Sequence, residues 1–230
     1  CRQARGTPLV NLLYLNKEET ITAVIPIHDL DEDAYLFMAT RQGTVKKTPL
    51  VEYHTSRRDG LIAISLEEGD ELIGVLRTDG KNEVIMVTRQ GKAIRFNEDE
   101  VRPMGRAARG VRGIALEEGD EVVGLVRVKG SAELVVVSEK GFGKRTPLEE
   151  YRTQSRGGKG IITMNVTART GQVAAIAVVT GEDELMLISA EGILIRLGVE
   201  DISRQGRNTQ GVTLMRLENN DRVVAMARVQ

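Results

Sequence analysis

One short pattern recurs four times along this chain of 230 residues. Each copy has an apolar run, Ser or Thr, two variable residues, a Gly, three more residues and then Lys or Arg. The glycines are Gly43, Gly91, Gly141 and Gly192, so successive copies are 48, 50 and 51 residues apart. A repeat of that length predicts an array of similar structural units packed against one another.

A second phrase supports the repeat, because Leu-Glu-Glu-Gly-Asp-Glu occurs at residues 66–71 and again at residues 116–121. Between these phrases, short Val, Ile and Leu runs are cut by Gly, Asp and Asn, a pattern typical of strands in hairpins. No stretch combines helix caps with a 3.6-residue period. We predict one all-β domain of propeller-type blades with about four strands each. The expected units span about 5–56, 57–108, 109–155 and 156–206, with a partial fifth over 207–230.

The composition excludes several classes of protein. The chain has 32 basic and 33 acidic residues, so nucleic-acid binding would depend on where the charges lie. Cys1 is the only cysteine, which excludes an internal disulfide framework and favours the cytoplasm. No apolar stretch approaches the roughly 18 residues of a membrane span. The first residue is not Met, so we expect a fragment of a longer protein. The scarcity of aromatic residues argues against base stacking on a single strand.

No catalytic or cofactor site emerges from the sequence. The carboxylates around Gly69 and Gly119 recur in register and fit solvated hairpin turns. His28 and His54 lie in separate polar segments without metal-ligand spacing. Residues 141–146 lack the first glycine and the hydroxyl residue of a phosphate-binding loop. We therefore expect no cofactor and no metal in this domain.

The positive charge that ends the recurring pattern occupies one repeat position, as Lys47, Arg95, Arg145 and Arg196. One explanation is a contact with a phosphate in each unit. The other is a charged residue on the exposed face of a hairpin strand.

The segments around this position favour the phosphate contact. Basic residues outnumber acidic ones by seven to three over residues 89–112, by six to two over 140–159 and by five to two over 41–60. Residues 190–209 are balanced. Stacked around an axis, such units would present a basic rim to the backbone of curved duplex DNA. The residues expected to contact DNA are Lys46, Lys47, Arg57, Arg58, Lys92, Arg95, Arg102, Arg106, Arg109, Lys144, Arg145, Arg156, Lys159, Arg196, Arg204 and Arg207.

Five stretches then connect the chain to a known family: residues 4–13, 37–47, 102–105, 141–146 and 206–212. They resemble the C-terminal domain of the A subunit of bacterial DNA gyrase, and the resemblance covers essentially the whole chain. It implies a β-pinwheel, a propeller-like ring that wraps duplex DNA around its basic perimeter. For the parent enzyme it implies ATP-driven negative supercoiling by a type II topoisomerase in the bacterial cytoplasm, associated with the nucleoid. The gyrase B subunit and a second A subunit would be its partners.

The family's signature box, Gln-Arg-Arg-Gly-Gly-Lys-Gly, is expected upstream of residue 1. The first blade of the family domain is therefore expected to be largely missing, leaving an open arc or incomplete ring. A near copy occurs at residues 154–160, with Ser155 at its second position. By resemblance, Arg156 and Lys159 would grip DNA there. Alternatively, the glycines only allow a strand to enter tightly between blades.

Three alternatives remain open at this point. The chain resembles the related topoisomerase IV subunit, whose C-terminal domain lacks the box. A propeller can also serve as a scaffold for protein partners, with its basic rim merely solvated. A propeller enzyme would need convergent polar residues in the central channel, and the sequence does not reveal any.

Overall fold

The protein is described by a computed structural model over residues 6–8, 11–27, 33–55, 59–218 and 220–229. Expectations that concern Cys1, His28, Arg57 and Arg58 lie outside the described residues. Over the described ranges the chain forms β-strands and short 3-10 helices, and no α-helix, which confirms the all-β prediction. None of the helices in those ranges is long and apolar enough to cross a bilayer.

The strands are short and regularly spaced. In chain order they are β1 (Tyr35–Thr40), β2 (Thr44–Pro49), β3 (Leu72–Thr78), β4 (Glu83–Thr88), β5 (Lys92–Asn97), β6 (Val111–Arg112), β7 (Val122–Arg127), β8 (Glu133–Ser138), β9 (Phe142–Pro147), β10 (Ile161–Ile162), β11 (Val173–Val179), β12 (Glu184–Ser189), β13 (Leu194–Gly198), β14 (Val212–Thr213) and β15 (Val223–Val229). Single 3-10 turns follow the second strand of each hairpin, at Leu50–Tyr53, Glu98–Glu100, Leu148–Glu150 and Val199–Asp201.

These strands form four antiparallel sheets, named here blades 1 to 4. Their strand orders are β3-β1-β2-β6, β7-β4-β5-β10, β11-β8-β9-β14 and β15-β12-β13. Each blade is built on a hairpin, with a long third strand on one side of it. In blades 1 to 3 a two-residue strand closes the other side of the hairpin.

The two-residue strands are exchanged between blades. β6 lies between β5 and β7 of blade 2 along the chain, yet it pairs with β2 of blade 1, where Val111 faces Val45. β10 and β14 join blades 2 and 3 in the same way. This exchange is the β-pinwheel arrangement. It also divides the chain differently from the expected units, since residues 57–108 hold the third strand of blade 1 and the hairpin of blade 2.

The blades pack face to face through their hairpins. Alternate residues of β4 face opposite neighbours: Val84 packs in a cluster with Phe37 of blade 1, and Ile85 packs with Leu134 of blade 3. A strand buried on both faces needs apolar side chains at successive positions, not at alternate ones. This double burial explains the continuous apolar runs that precede each Ser or Thr of the repeat.

The third strands, β3, β7, β11 and β15, pack against one another in that order and so surround the axis of the molecule. The exchanged strands therefore lie on the outer edge of the blades. Each belongs to a segment that leaves the second strand of its own blade, reaches the preceding blade and then turns back. We name these segments, residues 101–113, 151–163 and 202–214, the crossover segments.

The acidic phrases form turns, as the sequence predicts. The carboxylate of Asp70 accepts a hydrogen bond from the backbone N–H of Gln42 at 2.9 Å. Asp120 accepts one from the N–H of Gln90 at 3.0 Å. Each carboxylate thus ties the turn before a third strand to the hairpin of the same blade. The hairpin-turn interpretation of these residues is confirmed.

Candidate nucleic-acid interface

The crossover segments carry the most uniform positive charge in the chain. Together they contain nine basic residues and no acidic residue. They lie along the outer edge of blades 1 to 3 because their short strands pair with β2, β5 and β9. The nine residues are Arg102, Arg106, Arg109, Arg112, Arg152, Arg156, Lys159, Arg204 and Arg207.

One arginine recurs at the same place in each crossover segment, as Arg106, Arg156 and Arg207. The Nη1 group of each donates a hydrogen bond to a carbonyl oxygen at the outer edge one blade earlier. The acceptors are Ile62, Arg112 and Ile162, at 3.3, 2.5 and 2.9 Å, respectively. A guanidinium has five N–H donors in a fixed fork. Each of these half-buried arginines is therefore held in position and keeps donors for an anion.

The backbone of the same three arginines is anchored by glutamates. The N–H groups of Arg106, Arg156 and Arg207 donate to carboxylates that follow the second strand of the preceding blade. The acceptors are Glu52, Glu100 and Glu150, at 3.2, 2.7 and 3.3 Å, respectively. The three arginines consequently have the same local geometry on three successive blades.

Other cations of the crossover segments are more exposed. Arg102, Arg109, Lys159 and Arg204 are exposed on the outer edge, and Arg204 Nε also lies 2.7 Å from a carboxylate oxygen of Glu133. The predicted set leaves out two exposed arginines of these segments, Arg112 and Arg152. Arg152 follows Arg102 by one repeat of 50 residues, and that spacing is the signal that identifies it.

Three of the four repeat-position cations differ from expectation. Lys47, Arg95 and Arg145 face the next blade, and each donates to a carbonyl oxygen at its 3-10 turn. The acceptors are Glu98, Leu148 and Ile202, at 2.9, 2.9 and 2.8 Å, respectively. Lys47 is buried, and the side chains of Arg95 and Arg145 are only 17% and 20% exposed. The expected phosphate contact is corrected to a contact between blades.

The backbone at this repeat position contacts the same neighbour. The carbonyl oxygen of Lys47 accepts from Met104 N–H at 2.8 Å, and that of Arg95 accepts from Gln154 N–H at 2.7 Å. Both donors lie at the start of a crossover segment. Arg196 of blade 4 differs, since its guanidinium pairs with Glu184 of its own hairpin and is 58% exposed.

Lys46 and Lys144 also differ from expectation, because both are completely buried. The Lys144 ammonium donates to the carbonyl of Gly206 at 2.6 Å and to Thr209 Oγ1 at 2.9 Å, and also to the carbonyl of Arg207. Lys46 donates in the same manner to the carbonyls of Ala63 and Arg106. These lysines hold crossover segments in place from beneath, and their ammonium groups do not face solvent.

Burial changes the titration of these two lysines. It lowers the pKa of Lys46 and the pKa of Lys144 from 10.5 to about 8, since a buried ammonium loses its hydration. Blades 2 and 4 have Ile94 and Ile195 at the equivalent position. The buried lysines thus alternate with isoleucines around the structure.

The near copy of the signature box contributes both glycines and cations. A Cβ atom on Gly160, whose φ is +73°, would lie 2.5 Å from the carbonyl oxygen of Ala93 in blade 2. Gly157 donates its N–H to the carbonyl oxygen of Gly113 in the neighbouring crossover segment at 2.7 Å. These contacts fit the explanation that the glycines allow close approach between blades. Lys159 is exposed beside them, and half-buried Lys92 begins β5, opposite Ile162.

Over the described residues, no three His, Cys, Asp or Glu side chains form a group that could hold a metal ion.

The chain is similar to known proteins over almost its whole length. Four stretches, residues 34–79, 82–129, 132–180 and 183–230, match the family model described as the DNA gyrase C-terminal domain, beta-propeller. The chain belongs to the DNA gyrase C-terminal domain family. Each matched stretch holds the hairpin and the third strand of one blade. The DNA gyrase A subunit of Halalkalibacterium halodurans is 60% identical over 228 residues, which are 99% of this chain and 27% of that protein.

Solved structures agree with the gyrase family fold. The crystal structure of the C-terminal domain of DNA topoisomerase IV matches with a TM-score of 0.92 and 30% identity, covering 98% of this chain and 71% of that one. The structure of a DNA gyrase A C-terminal domain matches with a TM-score of 0.88 and 28% identity, covering 99% and 76%. The chain spans about a quarter of the length of the curated gyrase subunits that it matches. The 60% identity to a gyrase subunit favours gyrase over the topoisomerase IV alternative.

Proposed function

We propose that this chain binds duplex DNA along its crossover segments and bends the duplex around the outer edge of the blades. The observation that carries the proposal is the recurrence of Arg106, Arg156 and Arg207 with one geometry on successive blades. They stand in segments without a single acidic residue. The exposed cations Arg102, Arg109, Arg112, Arg152, Lys159 and Arg204 extend the same surface.

Phosphate contacts suit this arrangement better than base contacts do. Guanidinium forks match phosphate oxygens and carry no sequence information, and neutralised phosphates release counterions. Bending 20–30 bp by 40–90° costs of order 1–6 kcal/mol, which several contacts on each blade would offset. The surface would therefore tolerate many sequences and favour those that bend easily.

Within the parent protein, this module would supply DNA wrapping to DNA gyrase. We propose that it has no active site and no cofactor of its own. The wrapped segment would set the sign of strand passage in an ATP-dependent enzyme assembled from two A subunits and the gyrase B subunit. Such an enzyme would act in the bacterial cytoplasm, on the nucleoid.

The test compares duplex lengths. The 230-residue chain should bind a duplex of about 100 bp more tightly per site than one of about 15 bp, because only the longer duplex can follow several blades. Changing Arg102, Arg109 and Lys159 to Gln should remove most of this preference. A matched control changes the exposed residues Lys81, Arg169 and Arg216, which lie outside the crossover segments, to Gln. Equal affinity for both lengths, or equal losses in both variants, would reject wrapping along the crossover segments and favour a scaffold for proteins.

A further inference from the structure

A second repeat position carries arginines that the proposed DNA surface does not use. Arg77, Arg127, Val178 and Arg228 follow one another at intervals of 50, 51 and 50 residues. Each lies near the end of the third strand of its blade, on β3, β7, β11 and β15. Because the third strands surround the axis, these positions meet at one end of the molecule.

At that end the four residues line a common cleft of about 330 Å³. Lys129 and Ile25 line the same cleft, and Val178 supplies an apolar wall at the place of the fourth arginine. We name Arg77, Arg127, Lys129 and Arg228 the axial basic cluster. The cleft is near the lower limit of the roughly 300–1,000 Å³ of small-molecule sites.

The positive charge of the cluster is only partly balanced by the protein. Arg228 lies 3.6 Å from the carboxylate of Asp183. Arg127 donates to the carbonyl oxygen of Arg77 at 3.3 Å, which leaves its charge in place. Among the residues that the structure describes, no carboxylate lies within 4 Å of Arg127 or Lys129.

The opposite end of the third strands is different, because its arginines are matched by glutamates. Arg41 lies 3.4 Å from Glu71 and 3.8 Å from Glu121. Arg89 lies 3.1 Å from Glu121 and 3.5 Å from Glu139. One end of the axis is thus closed by a chain of ion pairs, while the other presents excess cations around an open cleft.

We propose that the axial basic cluster binds a small polyphosphate anion of the pyrophosphate class. Guanidinium forks pair with phosphate oxygens through two parallel hydrogen bonds, and an anion of several charges matches several converging cations. The cleft is small, it lies on the axis, and its cations come from three different blades and the segment after β7. This site is separate from the crossover segments and goes beyond the proposed DNA binding.

Titration calorimetry with sodium pyrophosphate tests the site on the 230-residue chain at low ionic strength. The expected result is saturable one-to-one binding that weakens as salt is added. Changing Arg127 and Arg228 together to Gln should weaken pyrophosphate binding at least about tenfold, since each removed charged hydrogen bond contributes roughly 1.5–3 kcal/mol. Lys129→Glu should also weaken it about tenfold or more. This second variant alters an exposed side chain, so it tests the site even if the double variant folds poorly.

The control is Arg216→Gln, which removes an exposed arginine before the start of β15, at the other end of that strand from Arg228. It should leave pyrophosphate affinity unchanged. Absence of saturable binding, or equal affinity in wild type and Lys129→Glu, would overturn the proposal. A duplex of about 40 bp forms the second arm of the experiment. If duplex displaces pyrophosphate and Lys129→Glu weakens both ligands equally, the cluster is part of the DNA surface and the separate site is rejected.

Discussion

Arg95 of blade 2 donates a hydrogen bond from Nη1 to the carbonyl oxygen of Leu148 in blade 3, at 2.9 Å. The same nitrogen lies 3.2 Å from the carbonyl oxygen of Tyr151, and the guanidinium also pairs with Glu83 of its own hairpin. The arginine therefore links the end of one blade's hairpin to the 3-10 turn of the next. A link of this kind fixes the angle at which the crossover segments follow one another.

Arg95→Gln should lower the free energy of unfolding by about 2–3 kcal/mol. The change leaves two carbonyl oxygens and a partly buried carboxylate without their charged donor. Urea unfolding followed by circular dichroism measures the loss. The matched control is Arg196→Gln, at the same repeat position but exposed, where the pair with Glu184 should contribute less than about 1 kcal/mol. Equal losses in the two variants would contradict the inter-blade role.

The buried lysines predict a dependence of stability on pH. Burial lowers the pKa of Lys46 and Lys144 to about 8 in the folded chain, against 10.5 for an ordinary lysine. Between these pH values the unfolded chain binds more protons than the folded one, so the free energy of unfolding rises as pH increases from about 8 to 10. Below pH 8 both states are protonated and this contribution is absent.

Replacing both lysines with Met should remove that rise, which is expected to be on the order of 2 kcal/mol for each lysine. Unfolding in urea at pH 7, 8, 9 and 10 measures it. The exposed lysine Lys81, replaced with Met, serves as the control and should keep the wild-type slope. A wild-type slope in the double variant would mean that other groups cause the rise.

The glycines of the near copy of the signature box differ in what they do. Gly160→Ala should cost about 2–3 kcal/mol of stability, because it combines a positive φ with a clash against the carbonyl oxygen of Ala93. Gly158→Ala should change stability by less than about 0.5 kcal/mol, since the nearest atom to its Cβ would be 3.6 Å away. Thermal unfolding of the two variants makes the comparison. A neutral Gly160→Ala would show that the approach between blades can relax.

Much of the fold could be predicted from the sequence because its determinants are local. The apolar runs and turn glycines mark the hairpins, and the repeat spacing marks the number of blades. The strand exchange could not be predicted, since strands such as β6 have only two residues and no apolar run of their own. Their position depends on hydrogen bonds to a preceding blade, which no local pattern encodes.

The site could be predicted only in part, for a related reason. The crossover arginines stand out as a basic segment without acidic residues, and that pattern is visible in the sequence. Whether a repeated cation faces solvent or the next blade is not visible. Arg95 and Arg196 share one repeat position, yet one contacts backbone carbonyls of a neighbouring blade and the other is exposed. The direction of the side chain follows from the packing of blades.

The salt dependence of DNA binding tests the central claim most directly. For duplex DNA the logarithm of the affinity falls with the logarithm of the salt concentration, with a slope of about −0.9 for each phosphate contact. Replacing Arg106, Arg156 and Arg207 with Gln should therefore flatten the slope by about 3 and weaken binding of a duplex of about 100 bp, in protein whose circular dichroism is unchanged. A folded triple variant with the wild-type slope and affinity would contradict DNA binding along the crossover segments.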